Sequence, residues 1–234
     1  MKPTTRVAIA IVAAMGLVGC GSDGDTTVVM VPSSFTGLTA SIDTRLDIDT
    51  DWVIAGSSRL VRQLADGAAA DVLITADAET MADAVDQGLV AGEPVVVARN
   101  RLVVALAPGN QAGVAELDDL ADPDLLIGVC AAEVPCGRLA ARAVDSGLDL
   151  AVDTEEPNVR SLALKIARGE LDAGLVYATD AADLGLATLD DDSLTGFETA
   201  YLAASVRDEP SPIIDFLRAD AGRDLLEDEG FLLP

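Results

Sequence analysis

The stretch NVRSLALKIARGELDAGLVY (158–177) carries the pattern of a helix that leads into a strand. Its first half has apolar residues at helical spacing, namely Val159, Leu162, Ala163, Ile166 and Ala167. Its last five residues, 173–177, are apolar without alternation, which is typical of a parallel strand covered on both faces. A helix followed by such a strand is the repeating unit of α/β proteins, so this stretch indicates the fold class.

The same alternation extends along the chain in both directions. Further strands are predicted at 27–31, 52–55, 71–75, 94–98, 102–107 and 125–130, and residues 212–229 are predicted to form one or two helices. The pattern predicts an α/β fold with parallel-rich sheets flanked by helices. One βα series lies on each side of the polar Arg99–Arg101, which suggests two lobes facing each other across a ligand cleft.

The composition excludes several classes of function. The 234 residues include 40 acidic and 15 basic side chains and no histidine, so the formal net charge is −25, and only 3% are aromatic. Such a chain repels phosphate backbones and cannot stack bases, so we expect no nucleic-acid partner. Without histidine, the usual catalytic triads and zinc sites are excluded, and no P-loop is present. We therefore expect no enzyme, no cofactor and no direct metal ligands.

The N-terminus has the pattern of a secretion signal. Lys2 and Arg6 precede an apolar run, Val7–Val18. This run is typical of an export signal and is too short to remain as a membrane-spanning helix. We expect residues 1–19 to be removed and the mature protein to lie outside the cytoplasm.

The signal ends in LVGC (17–20), which resembles the lipobox of bacterial lipoproteins. The resemblance implies that Cys20 is lipidated and anchors the chain to the membrane, with residues 20–26 as a tether. An ordinary signal peptide with a coincidental cysteine is the alternative.

Cys130 and Cys136 are six residues apart, which is neither a CxxC motif nor a zinc-site spacing. An exported protein can form disulfides, and a bond between these two would close a small loop and stabilise the fold by about 2 kcal/mol. A pair of buried thiols is the alternative, and we favour the disulfide.

Polar and small residues follow several of the predicted strands, where helices begin. They are Ser33-Ser34, Gly56-Ser57-Ser58, Pro135-Cys136-Gly137 and Asn158-Val159-Arg160. Helix starts at the carboxyl ends of parallel strands offer unpaired N–H groups and the positive end of the helix dipole, which suit an anion. Each residue taken alone could simply be an N-cap.

Six segments together resemble the molybdate-binding proteins of bacterial ABC importers. They are VPSSFTG (31–37), AGSSRLVRQLADGAAADVLITAD (55–77), NRLVVALAPGN (100–110), EVPCGRLAARAV (133–144), NVRSLALKIARGELDAGLVYATDA (158–181) and EGFLLP (229–234). They occur in the family's order and at close to its spacing, over essentially the whole mature chain. The combination of GAAADVLITAD (67–77) with GLVYATDA (174–181) is the most specific part.

The resemblance implies a two-lobed, periplasmic-binding-protein-like fold. Residues 27–100 and 200–234 would form lobe 1, and residues 101–199 would form lobe 2. The expected ligand is molybdate, with tungstate as a second candidate. The expected partner is the permease of an ABC importer, and the chain is expected to be a monomer.

The resemblance also implies which groups bind the oxyanion. From lobe 1 they are the hydroxyls and nearby amides of Ser34 and Ser57; from lobe 2 they are the backbone N–H groups of Cys136 and Val159 and the hydroxyl of Tyr177. The family usually has alanine in place of Cys136, a change that a backbone donor tolerates. The segment between the two serines is short and rich in aspartate, which predicts an abbreviated first helix.

The chemistry of these five groups indicates which anions they can bind. Molybdate and tungstate are fully deprotonated dianions at neutral pH and can only accept hydrogen bonds, whereas monohydrogen phosphate also needs an acceptor. None of the five positions is acidic. Sulfate also fits a donor-only site, so a binding protein for sulfate or phosphate is the alternative. An extracytoplasmic α/β hydrolase is a further alternative, against which stand the missing histidine and the missing G-x-S-x-G motif.

Overall fold

The structure is a computed structural model that describes residues 26–189 and 194–234. The predicted signal peptide, Cys20, all but the last residue of the tether, and the acidic run Asp190–Asp192 lie outside the described residues. Within the described ranges, no helix combines the length and the apolar character that a membrane crossing requires.

Eight strands and eight α-helices alternate along the described chain. The strands are β1 (Thr27–Pro32), β2 (Thr50–Ala55), β3 (Val72–Thr75), β4 (Val95–Leu106), β5 (Ile127–Cys130), β6 (Val152–Glu156), β7 (Ala173–Tyr177) and β8 (Glu198–Ser205). The helices are α1 (Thr39–Leu46), α2 (Ser57–Ala65), α3 (Ala78–Asp86), α4 (Pro135–Asp145), α5 (Val159–Ala167), α6 (Ala178–Asp183), α7 (Pro212–Arg218) and α8 (Asp220–Asp228). Short 3₁₀ turns occupy Ser33–Phe35 and Leu117–Ala121. The alternation confirms the predicted α/β class.

The strands form one mixed sheet in the order β2-β1-β3-β8-β4-β7-β5-β6. The outer pairs β1–β2, β1–β3, β5–β6 and β5–β7 are parallel, whereas β8 runs antiparallel to β3 and β4, and β4 runs antiparallel to β7. Strand β4 joins two halves of the sheet, because Val95–Arg101 pairs with β8 and Leu102–Leu106 pairs with β7.

The prediction of two strands at 94–98 and 102–107 was wrong, since β4 is continuous from Val95 to Leu106. The polar Arg99–Arg101 remains in the strand because β8 pairs with it residue by residue, Asn100 opposite Thr199. The side chain of Asn100 is buried and hydrogen-bonded rather than solvated. Polarity was therefore mistaken for a loop signal.

The helices cover the sheet with the faces that their periodicity predicts. α5 buries Val159, Leu162, Ala163 and Ile166, and α2 buries Leu60, Val61 and Leu64. Helix α1 has only eight residues, as the short segment before Ser57 predicts, and the C-terminal residues form two helices, α7 and α8. Each half of the sheet thus has a core of aliphatic side chains, with few aromatic residues.

Four of the seven aromatic residues form one cluster beside the carboxyl end of β1. Phe35 packs against Tyr201 and Phe231 at centroid distances of 5.3 and 5.2 Å, and Tyr201 lies 5.4 Å from Phe231 and 6.2 Å from Tyr177. The cluster therefore joins β1, β7, β8 and the C-terminus around the region where the polar residues collect.

Candidate functional site

The five residues predicted to bind the ligand line a single small cavity. They are Ser34, Ser57, Cys136, Val159 and Tyr177. The first two lie at the ends of β1 and β2, and the other three lie at the ends or helix starts of the other half of the sheet. The topology therefore brings together residues that are up to 143 positions apart, from Ser34 to Tyr177. Their common cavity is a structural finding; their ligand is considered below.

Ser57 is fixed by a hydrogen bond from the strand that follows α2. The backbone N–H of Ala76 donates to its Oγ at 3.0 Å, and Ser57 is only 2% exposed. Since the oxygen already accepts a hydrogen bond, the hydroxyl proton is free to donate into the cavity. The residue before it, Gly56, allows close approach of the two halves, because a Cβ there would lie 3.0 Å from the carbonyl oxygen of Pro157.

Two of the residues that line the same cavity, Cys136 and Val159, lie at helix starts, where backbone N–H groups have no intrahelical partner. α4 begins with Pro135, which has no N–H, so Cys136 supplies the first amide proton of that helix. At the start of α5, the Asn158 side chain caps the N–H of Ser161 at 2.9 Å and leaves the N–H of Val159 without an intrahelical partner. Both amides lie at the positive end of a helix dipole.

A disulfide holds the first of these helix starts. Cys130, the last residue of β5, is bonded to Cys136 with a Cα–Cα separation of 5.6 Å. The bond confirms the predicted pairing. It also ties the amide of Cys136 directly to the sheet, so this donor is held in place independently of any ligand.

The hydroxyl of Tyr177 is buried and lacks a hydrogen-bond acceptor among the described residues. Tyr177 ends β7, is 1% exposed, and its hydroxyl has no hydrogen-bond partner among the described residues. Burial raises its pKa well above the ordinary value, so the phenol keeps its proton. An unpaired buried polar group costs about 1–3 kcal/mol, and an acceptor bound in the cavity would remove that cost.

The side chains that line the cavity carry no charge, acidic or basic. No cluster of metal-ligating side chains occurs in residues 26–189 and 194–234. The site therefore offers hydroxyl and amide donors and the ends of helix dipoles, which together suit a small anion that only accepts hydrogen bonds.

Side-chain contacts between the two halves involve neighbours of the cavity residues, and these contacts were not predicted from the sequence. Arg138 of α4 forms an ion pair with Asp77 at 2.7 Å and donates to Thr80 Oγ1 at 2.6 Å. Ser58 donates to the carbonyl oxygen of Glu133 at 3.0 Å. Only the fold brings these groups together, because nothing in the sequence links Arg138 to an acid 61 residues earlier.

Comparison with known proteins places these features in a family. The family of bacterial extracellular solute-binding proteins matches residues 43–232. The chain is also 33% identical over 195 residues to a molybdate-binding protein of Mycobacterium tuberculosis, an alignment that covers 80% of this chain and 75% of that protein. The chain belongs to the bacterial extracellular solute-binding proteins. The predicted resemblance is therefore confirmed.

Solved structures of solute-binding proteins share the fold. The periplasmic molybdate-binding protein of Azotobacter vinelandii matches with a TM-score of 0.75 and 16% identity, over 89% of this chain and 99% of that one. The sulfate-binding protein of Mycobacterium tuberculosis matches with a TM-score of 0.65 and 16% identity, over 88% and 85% of the two chains. These similarities confirm the periplasmic-binding-protein-like fold.

A second cavity of this solute-binding protein lies beside the first and contains a buried carboxyl group. Ser34 lines both cavities, and the second, of about 290 Å³, is also lined by Asp180 and Arg160. Asp180 is 2% exposed, and its Oδ2 has no hydrogen-bond partner among the described residues. Burial raises its pKa to about 7, an effect that Arg160 partly offsets and Asp183 reinforces. Arg160 itself is ion-paired with Asp183.

Replacing Asp180 by asparagine is expected to stabilise the protein, and more so at high pH. The pKa of about 7 in the folded state exceeds the ordinary 3.8, so the folded state binds more protons between these values and stability falls as pH rises. At full ionisation this costs about 4 kcal/mol. Between pH 5 and pH 8.5, the gain in unfolding free energy for D180N should grow by about 3 kcal/mol. Denaturant unfolding at both pH values measures it, and an equal gain at both would contradict the raised pKa.

Proposed function

We propose that this protein captures molybdate, and tungstate as a second ligand, outside the cytoplasm and delivers the ion to the permease of an ABC importer. The observation that carries the proposal is the single cavity lined by the five predicted donors and by no charged side chain. The mycobacterial relative at 33% identity is a molybdate-binding protein, which supports the same ligand. The protein binds and releases the ion, and no bond is made or broken.

Each of the five groups has one role toward the oxyanion. The hydroxyls of Ser34, Ser57 and Tyr177 each donate one hydrogen bond, and the amides of Cys136 and Val159 donate the others along two helix axes. Hydrogen bonds to a charged acceptor are about twice as strong as neutral ones, so five donors can hold a dianion without a lysine or arginine. The disulfide holds the Cys136 amide before the ion arrives, which reduces the ordering cost of binding.

The donor set favours fully deprotonated anions over phosphate. Monohydrogen phosphate presents a proton, and no acidic side chain lines the cavity to accept it. Sulfate remains the chemical competitor because it too only accepts hydrogen bonds, and a sulfate-binding protein shares the fold. A phosphate- or sulfate-binding protein is therefore the alternative function.

We further propose that capture works by closure of two lobes, 27–100 with 200–234 and 101–199, about the strands that join them. Strand β4 changes partner from β8 to β7 between Arg101 and Leu102, and a bend there would move one half relative to the other. The Arg138–Asp77 ion pair links the two halves and would stabilise the closed form. Only that form would present the surface that the permease recognises.

Calorimetric titration of the mature protein with molybdate, tungstate, sulfate and phosphate tests the ligand. We expect saturable binding of molybdate and tungstate at micromolar concentration or below, and weaker binding of sulfate and phosphate. Titration of the same protein with chloride at equal ionic strength controls for nonspecific anion effects. No heat with molybdate or tungstate would refute the proposal, and tighter binding of phosphate or sulfate would establish the alternative.

The proposed setting is the outer surface of the cell membrane, where a lipid on Cys20 would hold the protein as a monomer on a flexible tether. The lipobox-like LVGC (17–20) supports this location. In cell fractionation, the wild-type protein should remain with membranes and the Cys20→Ser variant should not. Equal membrane association of the two would contradict the lipid anchor.

A further inference from the structure

A chain of hydrogen bonds runs behind the cavity and ends at Ser34. The Oγ of Ser34 lies 2.7 Å from the hydroxyl of Tyr201, and the Nδ2 of Asn100 lies 3.4 Å from the same hydroxyl. Nδ2 of Asn100 also donates to Thr179 Oγ1 at 2.8 Å. Asn100 thus contacts β8 on one side and the start of α6 on the other, at the point where β4 changes partner.

The direction of this chain follows from the chemistry of its members. The backbone N–H of Arg101 donates to Oδ1 of Asn100 at 2.9 Å, so the amide end that faces Tyr201 is Nδ2, which can only donate. Tyr201 is fully buried, and burial raises its pKa, so its phenol keeps a proton. Among the described residues, Ser34 Oγ is the acceptor within reach of that proton. Tyr201 therefore donates to Ser34.

The hydrogen bond from Tyr201 determines where the hydroxyl proton of Ser34 can point. Because its oxygen accepts the hydrogen bond from Tyr201, its hydroxyl hydrogen is free to point into the cavity that Ser34 lines. We propose that Tyr201 and Asn100 are positioning residues that fix the Ser34 hydroxyl as a hydrogen-bond donor to the ligand. The inference rests on the proposed function, and it explains how the Ser34 hydroxyl is oriented: one lone pair of its oxygen accepts from Tyr201, and its proton is left for the ligand.

The orientation of the serine hydroxyls should also affect whether the cavity prefers molybdate or phosphate. A hydroxyl that is free to rotate can accept the proton of monohydrogen phosphate as readily as it donates to molybdate. The Oγ of Ser57 likewise accepts one hydrogen bond, from Ala76 N–H, and this leaves its hydroxyl proton for the ligand. Ser34 and Ser57 would then both present protons to the ligand. The ratio of molybdate to phosphate affinity should therefore depend on Tyr201, although Tyr201 itself contacts neither ion.

Tyr201→Phe tests the proposal because phenylalanine keeps the ring that packs against Phe35 and Phe231 and removes only the hydroxyl. Calorimetry on the mature protein should show molybdate affinity about tenfold weaker, because the Ser34 hydroxyl is no longer held in the orientation that donates to the ligand. The phosphate affinity should fall less, so the ratio of the two drops. Asn100→Ala, which removes the donor that orients Tyr201, should act in the same direction.

A double-mutant cycle with Ser34→Ala separates positioning from a general structural effect. In the Ser34→Ala background, Tyr201→Phe should change molybdate affinity by less than about twofold, because its target hydroxyl is gone. Ser211→Ala is the matched control, since it removes a buried hydroxyl that caps α7 and should lower stability without altering affinity.

Two results would overturn the inference while leaving the proposed function intact. One is a Tyr201→Phe variant with wild-type molybdate affinity and selectivity. The other is an equal loss from Tyr201→Phe in the presence and absence of the Ser34 hydroxyl, which would indicate a structural role. If the wild-type protein binds no molybdate at all, the proposed function fails, and this inference fails with it.

Discussion

The Ser57→Asp variant is expected to lose molybdate capture, with an affinity lower by on the order of 1,000-fold or more. A carboxylate at this position would lie in the cavity where we propose that the anion binds. Two unit charges 4 Å apart repel by about 4 kcal/mol at an effective dielectric of 20. Ser57 is 2% exposed, so bulk water and salt screen this repulsion poorly. Calorimetric titration with molybdate measures the loss.

The variant should fold with lower stability, because burying a carboxylate is costly and the favourable interaction of an acidic side chain with the dipole at the start of α2 offsets only part of that cost. Thermal unfolding followed by circular dichroism checks this. Ser146→Asp adds the same charge at an exposed position after α4 and should leave the affinity unchanged. Wild-type affinity in Ser57→Asp would show that the oxyanion binds elsewhere.

The Gly137→Ala variant is expected to damage both stability and binding. A Cβ at Gly137 would lie 1.9 Å from the carbonyl oxygen of Ala131 and 2.7 Å from that of Cys130. Both are backbone atoms that cannot turn aside, so α4 must move away from the loop that precedes it. Overpacking of this kind costs about 1–3 kcal/mol or more. The same movement displaces the neighbouring amide of Cys136, so molybdate affinity should fall at least tenfold.

Gly222→Ala provides the matched control for this prediction. A Cβ at Gly222 would lie 2.0 Å from the carbonyl oxygen of Phe216, a clash of the same kind at the start of α8. The two variants should lose similar amounts of unfolding free energy in denaturant. Only Gly137→Ala should lose affinity in its folded fraction. Equal affinity of the two folded variants would mean that the start of α4 contributes no donor.

Four of the five cavity residues, Ser34, Ser57, Cys136 and Val159, lie at helix starts that could be located from local sequence patterns, whereas Tyr177 was named only through the family resemblance. Strand β7 and helix α5 follow from the periodicity of residues 158–177, and parallel strands bring such ends to one edge of a sheet. Which of these ends share a cavity did not follow from local patterns. The resemblance to a known family supplied that grouping, and in the structure all five residues line one cavity.

The residues that contact the cavity residues from behind, or that link the two halves, could not be predicted from local sequence patterns. Asn100 and Tyr201 acquire their role through contacts across 101 residues, and Arg138 reaches Asp77 from another helix. Strands β6 and β8 were not predicted. Strand β6 has the polar, largely exposed sequence VDTEE, and it extends because it pairs with β5 at the edge of the sheet. Strand β8 pairs antiparallel with β3 and β4, outside the parallel βα pattern on which the prediction rested. Hydrogen bonds between side chains distant in sequence have no periodicity, so only the fold reveals them.

The chain is strongly acidic, whereas the side chains that line the cavity carry no charge. Removal of residues 1–19 would take away Lys2 and Arg6 and leave 13 basic against 40 acidic residues, a formal net charge of −27. Repulsion from this surface is screened over about 8–10 Å at physiological salt. The donors of the cavity act at contact distance, so a strongly acidic protein can still hold a small dianion.

The most direct test of the donor cavity is a crystal structure of the mature protein grown with molybdate and measured near the molybdenum absorption edge. We expect one strong anomalous peak in the cavity, with its oxygens at hydrogen-bonding distance from Ser34, Ser57, Cys136, Val159 and Tyr177. A peak at another place, or an ion coordinated directly by carboxylates, would contradict the account of oxyanion capture by uncharged donors.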